Sequence, residues 1–196
     1  MRREVGKSML AVLARAVERR HPWTEGHADR VASLALAVAR SLGWGAEELA
    51  AVRVGALLHD IGKLSLRPEV LGKPGPLTAA EKAEVQTHPM EGARLVLRLP
   101  DAKPALPCVL YHHERWDGAG YPTKLFGDSI PLAARLIGIA DAFDAMTSVR
   151  PYRGALSEEA ALAEIVRCSG TQFDPVLARA AVEVWARMRA EHRLAV

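Results

Sequence analysis

Polar side chains that can bind metal ions interrupt apolar segments at three places in the sequence. His59-Asp60 and His112-His113 each directly follow an apolar segment. Asp141 breaks a third apolar run, in a segment whose other positions are typical of a protein core. A buried imidazole or carboxylate is costly unless it is paired, hydrogen-bonded or bound to a metal ion. These positions therefore indicate a polar site inside the protein.

Five of the seven histidines fall at predicted helix ends or kinks, and with two aspartates they form one candidate ligand set. Imidazole and carboxylate ligands suit Fe, Mn, Zn or Co, and a carboxylate can bridge two ions where an imidazole cannot. Any one of these histidines could instead cap a helix or be a hydrogen-bonded core residue. Seven groups exceed the four ligands of one tetrahedral ion, so we expect two metal ions. The candidate ligands are His27, His59, Asp60, His88, His112, His113 and Asp141.

The elements that must position these residues are predicted to be helices. Apolar residues recur at helical spacing almost throughout, and no segment alternates for long enough to predict a strand, so the predicted fold is all-α. Residues 62–77 contain three Gly and three Pro and are predicted to form a loop. In the first part of the chain, helices are predicted over 4–20, from Thr24 to Gly43 and over 46–60. A further helix is predicted to start at a Thr78–Glu81 capping box and to break at His88-Pro89, and a short one to end near His112. The last helices are predicted from Pro131 through Met146, from Ser157 onward and from Asp174 onward.

The composition is that of a single globular domain. A chain of 196 residues with 49% apolar and 25% charged residues is neither disordered, collagen-like nor a disulfide scaffold. Its net charge of +3 allows an anionic ligand without requiring a nucleic-acid polymer as partner. Cys108 and Cys168 lack metal-site or redox spacing, which predicts reduced thiols and a cytoplasmic location. No run approaches the roughly 18 apolar residues of a membrane span, so no membrane partner is expected.

Five motifs in chain order resemble those of the HD-GYP branch of the HD phosphohydrolases. They are HDIGK at 59–63, THP at 87–89, HHERWDGAGYP at 112–122, DAFDAMT at 141–147 and RPYR at 150–153. The resemblance covers about residues 20 to 185 and implies a single-domain helical bundle of the HD type, with residues 1–20 as a flanking helix and 21–196 as the catalytic domain. It also implies metal-dependent hydrolysis of cyclic di-GMP to linear pGpG, in some members on to GMP.

The resemblance divides the candidate ligands between two ions that share Asp60. It implies one ion on His27, His59, Asp60 and Asp141, and a second on Asp60, His88, His112 and His113. Trp23 stands where three-metal members of the family have a glutamate, which favours two ions over three. Fe or Mn is favoured, and Zn, Co or Ni is compatible with the same ligands.

The expected chemistry needs no side-chain nucleophile, because a hydroxide that bridges two divalent ions is reactive at neutral pH. Asp60 and Lys63 are the predicted catalytic residues, with Lys63 one turn beyond His59 and able to reach a phosphate oxygen. Arg150 and Arg153 are predicted to hold a second phosphate or a guanine edge, with a solvated loop as the alternative.

The resemblance implies that the loop after the histidine pair shapes the substrate mouth. Gly120 allows an irregular backbone there, and Tyr121 is expected either to stack on a purine or to pack under the loop. Asp144, Glu114 and Asp117 are predicted to support the ligands from behind. The resemblance also implies that this loop contacts partner proteins. A diguanylate cyclase domain is a candidate partner, and the first helix is a candidate homodimer contact.

Two other functions are compatible with this sequence. The metal centre could act on another cyclic dinucleotide or on a nucleotide phosphate. Alternatively, the chain could bind cyclic di-GMP without hydrolysing it, as an interaction module. The complete ligand set argues against the second alternative.

Overall fold

The computed structural model describes residues 12–13, 15–20, 25–149 and 154–194, and over these residues the predicted all-α fold is confirmed. The helices are α1 (His27–Ser41), α2 (Ala46–Leu58), α3 (Pro68–Leu71), α4 (Ala79–Val85), α5 (His88–Val96), α6 (Leu106–Tyr111), α7 (Leu132–Thr147), α8 (Glu158–Arg167) and α9 (Pro175–Leu194). In these described ranges, 3₁₀ helices cover Ile61–Ser65, Pro100–Ala105 and Gly127–Ser129. Within the described ranges the sole β-type pairing is an isolated bridge between Ser169 and Phe173.

The main hydrophobic core lies between α1, α2, α7, α8 and α9. Its fully buried side chains include Val31 and Val38 of α1 and Leu136 and Ile139 of α7. Trp185 of α9 packs its ring against the same core and donates a hydrogen bond from its indole nitrogen to a carbonyl of α1. This core fixes the helices that carry His27 and Asp141.

A second apolar cluster fixes the elements that carry the remaining candidate ligands. It joins Leu58 at the end of α2, Ile61 in the following 3₁₀ helix, Val96 of α5 and Val109 of α6. Val17 also packs here, from the described part of the predicted first helix, of which residues 12–13 and 15–19 are helical. Most of that predicted helix lies outside the described residues.

Hydrogen bonds confirm several predicted helix starts. The Thr78 hydroxyl accepts from the backbone of Glu81, whose side chain accepts from the backbone of Thr78, so the capping box is complete. Ser157 caps α8, and a carboxylate oxygen of Asp174 accepts two backbone N–H groups at the start of α9. The predicted break before His88-Pro89 separates α4 from α5.

The prediction of a loop over residues 62–77 is wrong for its first half. Ile61–Ser65 form a 3₁₀ helix, and Pro68–Leu71 form one α-helical turn. Pro68 occupies the first helical position, where its missing N–H is not needed, so proline does not prevent helix formation there. Helix α2 also ends two residues earlier than predicted, at Leu58, and α7 begins one residue later, after Pro131.

None of the helices in the described part of the chain combines the length and the apolar character needed to cross a lipid bilayer. Both cysteines are free and buried, as their isolation in the sequence predicts.

Candidate metal centre

Helix ends from the two apolar clusters converge on one point. His27 and His88 are the first residues of α1 and α5. His59-Asp60 directly follow α2, and His112-His113 directly follow α6. Asp141 alone comes from within a helix, α7. Side chains that follow a helix end are free of the helical spacing, so neighbours such as His59 and Asp60 can face the same point.

The first group of polar atoms surrounds one oxygen of Asp60. His27 Nε2 lies 3.3 Å from His59 Nε2 and 3.3 Å from Asp141 Oδ1. Asp60 Oδ2 lies 3.4 Å from His59 Nε2 and 4.0 Å from His27 Nε2. These four residues form a compact set that could hold a metal ion, and three of them, His27, His59 and Asp60, offer atoms within 4.8 Å of one another.

The second group surrounds the other oxygen of the same carboxylate. Asp60 Oδ1 lies 3.3 Å from His88 Nε2 and 3.9 Å from His112 Nε2. With His113, whose ring contacts those of His88 and His112, these residues offer ligand atoms within 4.8 Å of one another. Asp60 therefore presents one oxygen to each group, which is the arrangement of a bridging carboxylate.

Four imidazoles are held by their outer nitrogens. The Nδ1 of His59 and of His88 each lies 2.7 Å from a backbone carbonyl oxygen, of Ala56 and Val85. The Nδ1 of His112 lies 3.0 Å from the carbonyl oxygen of Val109, and that of His27 lies 2.7 Å from Asp144 Oδ2. A hydrogen bond of this kind orients the ring, so each Nε2 points into the cluster, as in metal-binding histidines.

Three atoms of the second group can only accept a hydrogen bond. Carbonyl oxygens accept, so Nδ1 carries the proton in neutral His88 and His112, and each Nε2 presents a lone pair. These two Nε2 atoms are 3.3 Å apart, and Asp60 Oδ1 beside them is buried without a hydrogen-bond partner among the described residues. Three convergent acceptors are costly unless a cation lies between them. The donor set therefore fits a divalent metal ion.

Burial keeps the histidines of the second group neutral. Burial lowers the pKa of His88 to about 3 against the opposing charge of Asp60, and it lowers the pKa of His113 to about 4. The pKa of His112 also lies well below its usual value, because of burial and the neighbouring imidazoles. Neutral imidazole is the form that binds metals, so these residues need no deprotonation at neutral pH.

In the first group, carboxylates surround His27. Burial would lower the pKa of His27, but hydrogen bonds to Asp141 and Asp144 raise it to about 10. Burial would raise the pKa of Asp60, but the charge of Lys63 and the neighbouring His59 hold it well below its usual range. The raised pKa of His27 reflects its acidic neighbours, which favour a positive charge at this position, whereas the lowered pKa of Asp60 keeps that carboxylate in the ionised form that binds metal ions.

Asp144 supports the candidate ligand His27 through a hydrogen bond to its Nδ1, and it also binds a residue that the sequence did not identify. Arg30 donates to both oxygens of Asp144, from Nε at 2.6 Å and from Nη2 at 3.1 Å. The carboxylate is thus fixed between Arg30 and His27. Arg30 follows His27 by three residues, so both lie on one face of α1, but nothing in the sequence identifies their common partner 114 residues beyond Arg30.

The loop after the histidine pair is held by close packing. The ring of Tyr121 stacks on that of His113 with centroids 4.8 Å apart, so one face of the phenol is already covered. A side chain at Gly120 would place its Cβ 2.4 Å from the backbone nitrogen of Arg115. Glu114 accepts from Thr123, and Asp117 accepts from Arg115 and from the backbone of Ala119. These contacts of Glu114 and Asp117 are within the loop.

Space for a ligand adjoins the cluster. A cavity of about 390 Å³ is lined by His113, Asp141 and the loop that carries Tyr121. Lys63, whose Nζ lies 2.6 Å from Asp60 Oδ2, lines a separate cavity of about 610 Å³ under residues 70–77. The predicted phosphate-binding residues Arg150 and Arg153, and also Trp23, lie outside the described residues.

Comparison with known proteins identifies a family. A family model described as "HD domain" matches residues 11–177. The cyclic di-GMP phosphodiesterase response regulator RpfG of Xanthomonas campestris pv. campestris is 40% identical over 171 residues, which are 86% of this chain and 45% of that protein. The 3'3'-cGAMP-specific phosphodiesterase 2 of Vibrio cholerae is 36% identical over 185 residues, which are 93% of this chain and 35% of that protein.

A solved structure has the same fold. The cyclic GMP-AMP specific phosphodiesterase V-cGAP3 of Vibrio cholerae superposes with a TM-score of 0.71, at 21% sequence identity, over 92% of this chain and 49% of that one. The chain spans less than half the length of each of these relatives.

Proposed function

The chain belongs to the HD domain family and carries the motifs of its HD-GYP branch, and from this premise we propose that it is a metal-dependent phosphodiesterase that hydrolyses cyclic di-GMP to linear pGpG. The observation that carries the proposal is the position of Asp60, whose two oxygens face two separate groups of imidazole nitrogens. Paired metal ions are a recurrent means of cleaving phosphodiesters.

We assign the ligands as the two groups of side chains suggest. One ion would be held by His27, His59, Asp60 and Asp141, and the other by Asp60, His88, His112 and His113. Iron or manganese suits this mixture of imidazole and carboxylate, and zinc, cobalt or nickel is compatible with it. Two such ions, when bound, supply a water of lowered pKa and neutralise charge on the phosphoryl oxygens.

The protein's own side chains position the substrate. Lys63 is a quarter exposed and anchored only to Asp60 in the described structure, so its ammonium is close enough to neutralise a phosphate oxygen at the cluster. We assign Gly120 and Tyr121 to the wall of the substrate mouth, since both line the adjoining cavity. Arg150 and Arg153 remain our proposed contacts for the second phosphate or a guanine edge.

A second candidate substrate is 3'3'-cGAMP. It is favoured by the 36% identity, over 93% of this chain, with a relative whose name specifies that dinucleotide. Both candidates require the same phosphodiester chemistry and differ in one base. The choice between the two substrates therefore depends on residues that contact the bases and not on the metal ligands.

We place this activity in the cytoplasm, where free thiols such as Cys108 and Cys168 are kept reduced. A diguanylate cyclase domain that contacts the loop around Tyr121, and a second copy that contacts the N-terminal segment, are the proposed protein partners. No nucleic-acid polymer or membrane partner is part of the proposal.

Product analysis tests the function directly. Protein purified without oxygen is supplied separately with Fe(II) or Mn(II) and incubated with cyclic di-GMP or 3'3'-cGAMP, beside an Asp60→Ala variant. We expect metal-dependent pGpG from cyclic di-GMP and none from the variant. Cleavage confined to 3'3'-cGAMP would favour the second candidate. Nucleotide binding without product in any metal would contradict the enzymatic function.

A further inference from the structure

Helix α4 divides its charged side chains between two faces. Glu81 accepts a hydrogen bond from Lys73 at 2.6 Å, and Glu84 accepts one from Arg67 at 2.6 Å, so both carboxylates are paired with the segment before the helix. Lys82 is exposed, and its side chain has no hydrogen-bond or ion-pair partner among the described residues. The negative charges of this helix are therefore neutralised, whereas its lysine is not.

The face of α4 that carries Lys82 forms a wall of the cavity of about 390 Å³ beside the candidate metal centre. Gln86 follows Lys82 by four residues, so the two side chains lie on one face of the helix, and both line this cavity. The candidate ligands His113 and Asp141 line the same cavity. A molecule bound at the metals therefore has one continuous space in which to extend towards Lys82.

Lys82 differs from the other cations of this cavity in lacking an anionic partner within the described part of the chain. Two arginines also line the cavity. Arg115 donates from Nη2 to Asp117 at 2.6 Å, and Arg135 donates from Nη1 to Asp174 at 2.7 Å. Both guanidinium groups are therefore already neutralised by carboxylates, whereas the ammonium group of Lys82 is available for an anionic ligand.

A cyclic dinucleotide carries two phosphodiester groups, each with one negative charge at neutral pH. In the proposed reaction the metal ions neutralise the phosphate that is cleaved, and the second phosphate lies across the sugar–phosphate ring from it. The cavity volume is in the range typical of sites for small molecules. An ammonium group is a compact charge with three donors, so it suits a phosphate in this space.

We propose that Lys82 binds the phosphate of the cyclic dinucleotide that is not cleaved. The inference rests on the proposed function, because the scissile phosphate at the metal centre directs the second phosphate into this cavity. Lys82 lies outside all five motifs in the sequence, and it acts beside the contacts proposed for Arg150 and Arg153. Its role is to bind the substrate and not to take part in the cleavage.

Lys82→Met is the direct test, because it removes the ammonium group and keeps a flexible side chain of good helix propensity. We measure kcat and KM for cyclic di-GMP and for bis(p-nitrophenyl) phosphate, a diester with a single phosphate. For cyclic di-GMP we expect KM to rise about tenfold with kcat nearly unchanged, because the lost contact is the same in the ground state and the transition state. For the single-phosphate diester, both constants should stay at their wild-type values.

Two further variants control for charge. Lys82→Arg keeps a cation at the position and should restore most of the affinity for cyclic di-GMP. Lys103→Met removes the same charge from an exposed lysine of the 3₁₀ helix Pro100–Ala105, which does not line this cavity, and should change neither substrate. An equal rise in KM in Lys82→Met and Lys103→Met, or equal slowing of both substrates in Lys82→Met, would overturn the inference.

Equilibrium binding separates this inference from the proposed function. If no cyclic dinucleotide is hydrolysed, calorimetry of metal-loaded protein with intact cyclic di-GMP replaces the rate measurements. Binding about tenfold weaker in Lys82→Met than in wild type, and unchanged in Lys103→Met, supports the phosphate site and contradicts only the function. Hydrolysis with the same KM in wild type and Lys82→Met, or equal binding by the two proteins where none is hydrolysed, would overturn the role of Lys82.

Discussion

The carboxylate of Asp60 is the residue on which the candidate centre depends. Its Oδ2 faces His59 at 3.4 Å and its Oδ1 faces His88 at 3.3 Å. All seven candidate ligands could be proposed from the sequence, because buried polar residues need an internal partner: five histidines and Asp60 stand at helix ends, and Asp141 interrupts an apolar run within α7. Arg30 could not, since an arginine on a helix is usually solvated and its contact with Asp144 is long-range.

Asp144 is expected to tune metal affinity without touching the metal. In Asp144→Asn the acceptor for His27 Nδ1 and for Arg30 is weakened, so His27 loses its fixed orientation. We expect affinity for the ion at His27 to fall about 10- to 100-fold, while the ion at His88 and His112 is retained. Metal titration followed by elemental analysis measures both.

Asp128→Asn is the control for that experiment. Asp128 also pairs with an arginine, Arg135, but its side chain is 89% exposed and contacts none of the candidate ligands. The metal content of the Asp128→Asn variant should equal that of wild type. Equal loss of metal from both variants would show that Asp144 has no specific effect on His27.

The elements that carry the site were predicted with unequal success. Thr78, Ser157 and Asp174 marked true helix starts, because N-cap side chains satisfy backbone donors by purely local contacts. Residues 62–77 were predicted as loop, although Ile61–Ser65 and Pro68–Leu71 fold into helical turns. The 3₁₀ helix packs against α5, a tertiary contact that glycine and proline content does not reveal.

Gly62 shows how closely that packing is made. A Cβ at this position would lie 1.9 Å from the carbonyl oxygen of His88 and 2.5 Å from the nitrogen of Gly92, both in α5. Gly62→Ala must therefore displace α5 and with it His88. We expect the free energy of unfolding in urea to fall by about 3 kcal/mol, with loss of bound metal.

Gly75→Ala is the matched substitution in the same segment. No atom lies within 4 Å of a Cβ built at Gly75, so the free energy of unfolding of the Gly75→Ala variant should stay close to that of wild type. If the two variants unfold at the same urea concentration, the close contact between the 3₁₀ helix and α5 is contradicted.

At the scale of the whole molecule, two apolar clusters hold helix ends around a polar centre. Burial there depresses the pKa of His88 to about 3 and of His113 to about 4, so the unfolded chain binds protons that the folded chain does not. Stability of the metal-free protein must therefore fall as pH falls below about 6.5. The stabilisation that the raised pKa of His27 provides is complete below about 6.5 and is lost only towards pH 10.

We expect metal-free protein to lose about 2 kcal/mol of unfolding free energy for each of the two imidazoles of lowered pKa, His88 and His113, between pH 6.5 and pH 5. Urea unfolding at the two pH values measures the loss. The variant His88→Gln removes one titrating group and should show a shallower dependence. An unfolding free energy that is constant between pH 6.5 and pH 5 would contradict the burial of neutral imidazoles.

The central claim is that one carboxylate joins two metal ions that act together on a phosphodiester. The most direct measurement follows the initial rate of cyclic di-GMP hydrolysis while Mn(II) is added stepwise to metal-free protein of known concentration, with bound metal determined at each step. We predict that two ions bind per chain and that hydrolysis follows occupancy of the second. Full activity with one bound ion per chain would contradict the claim.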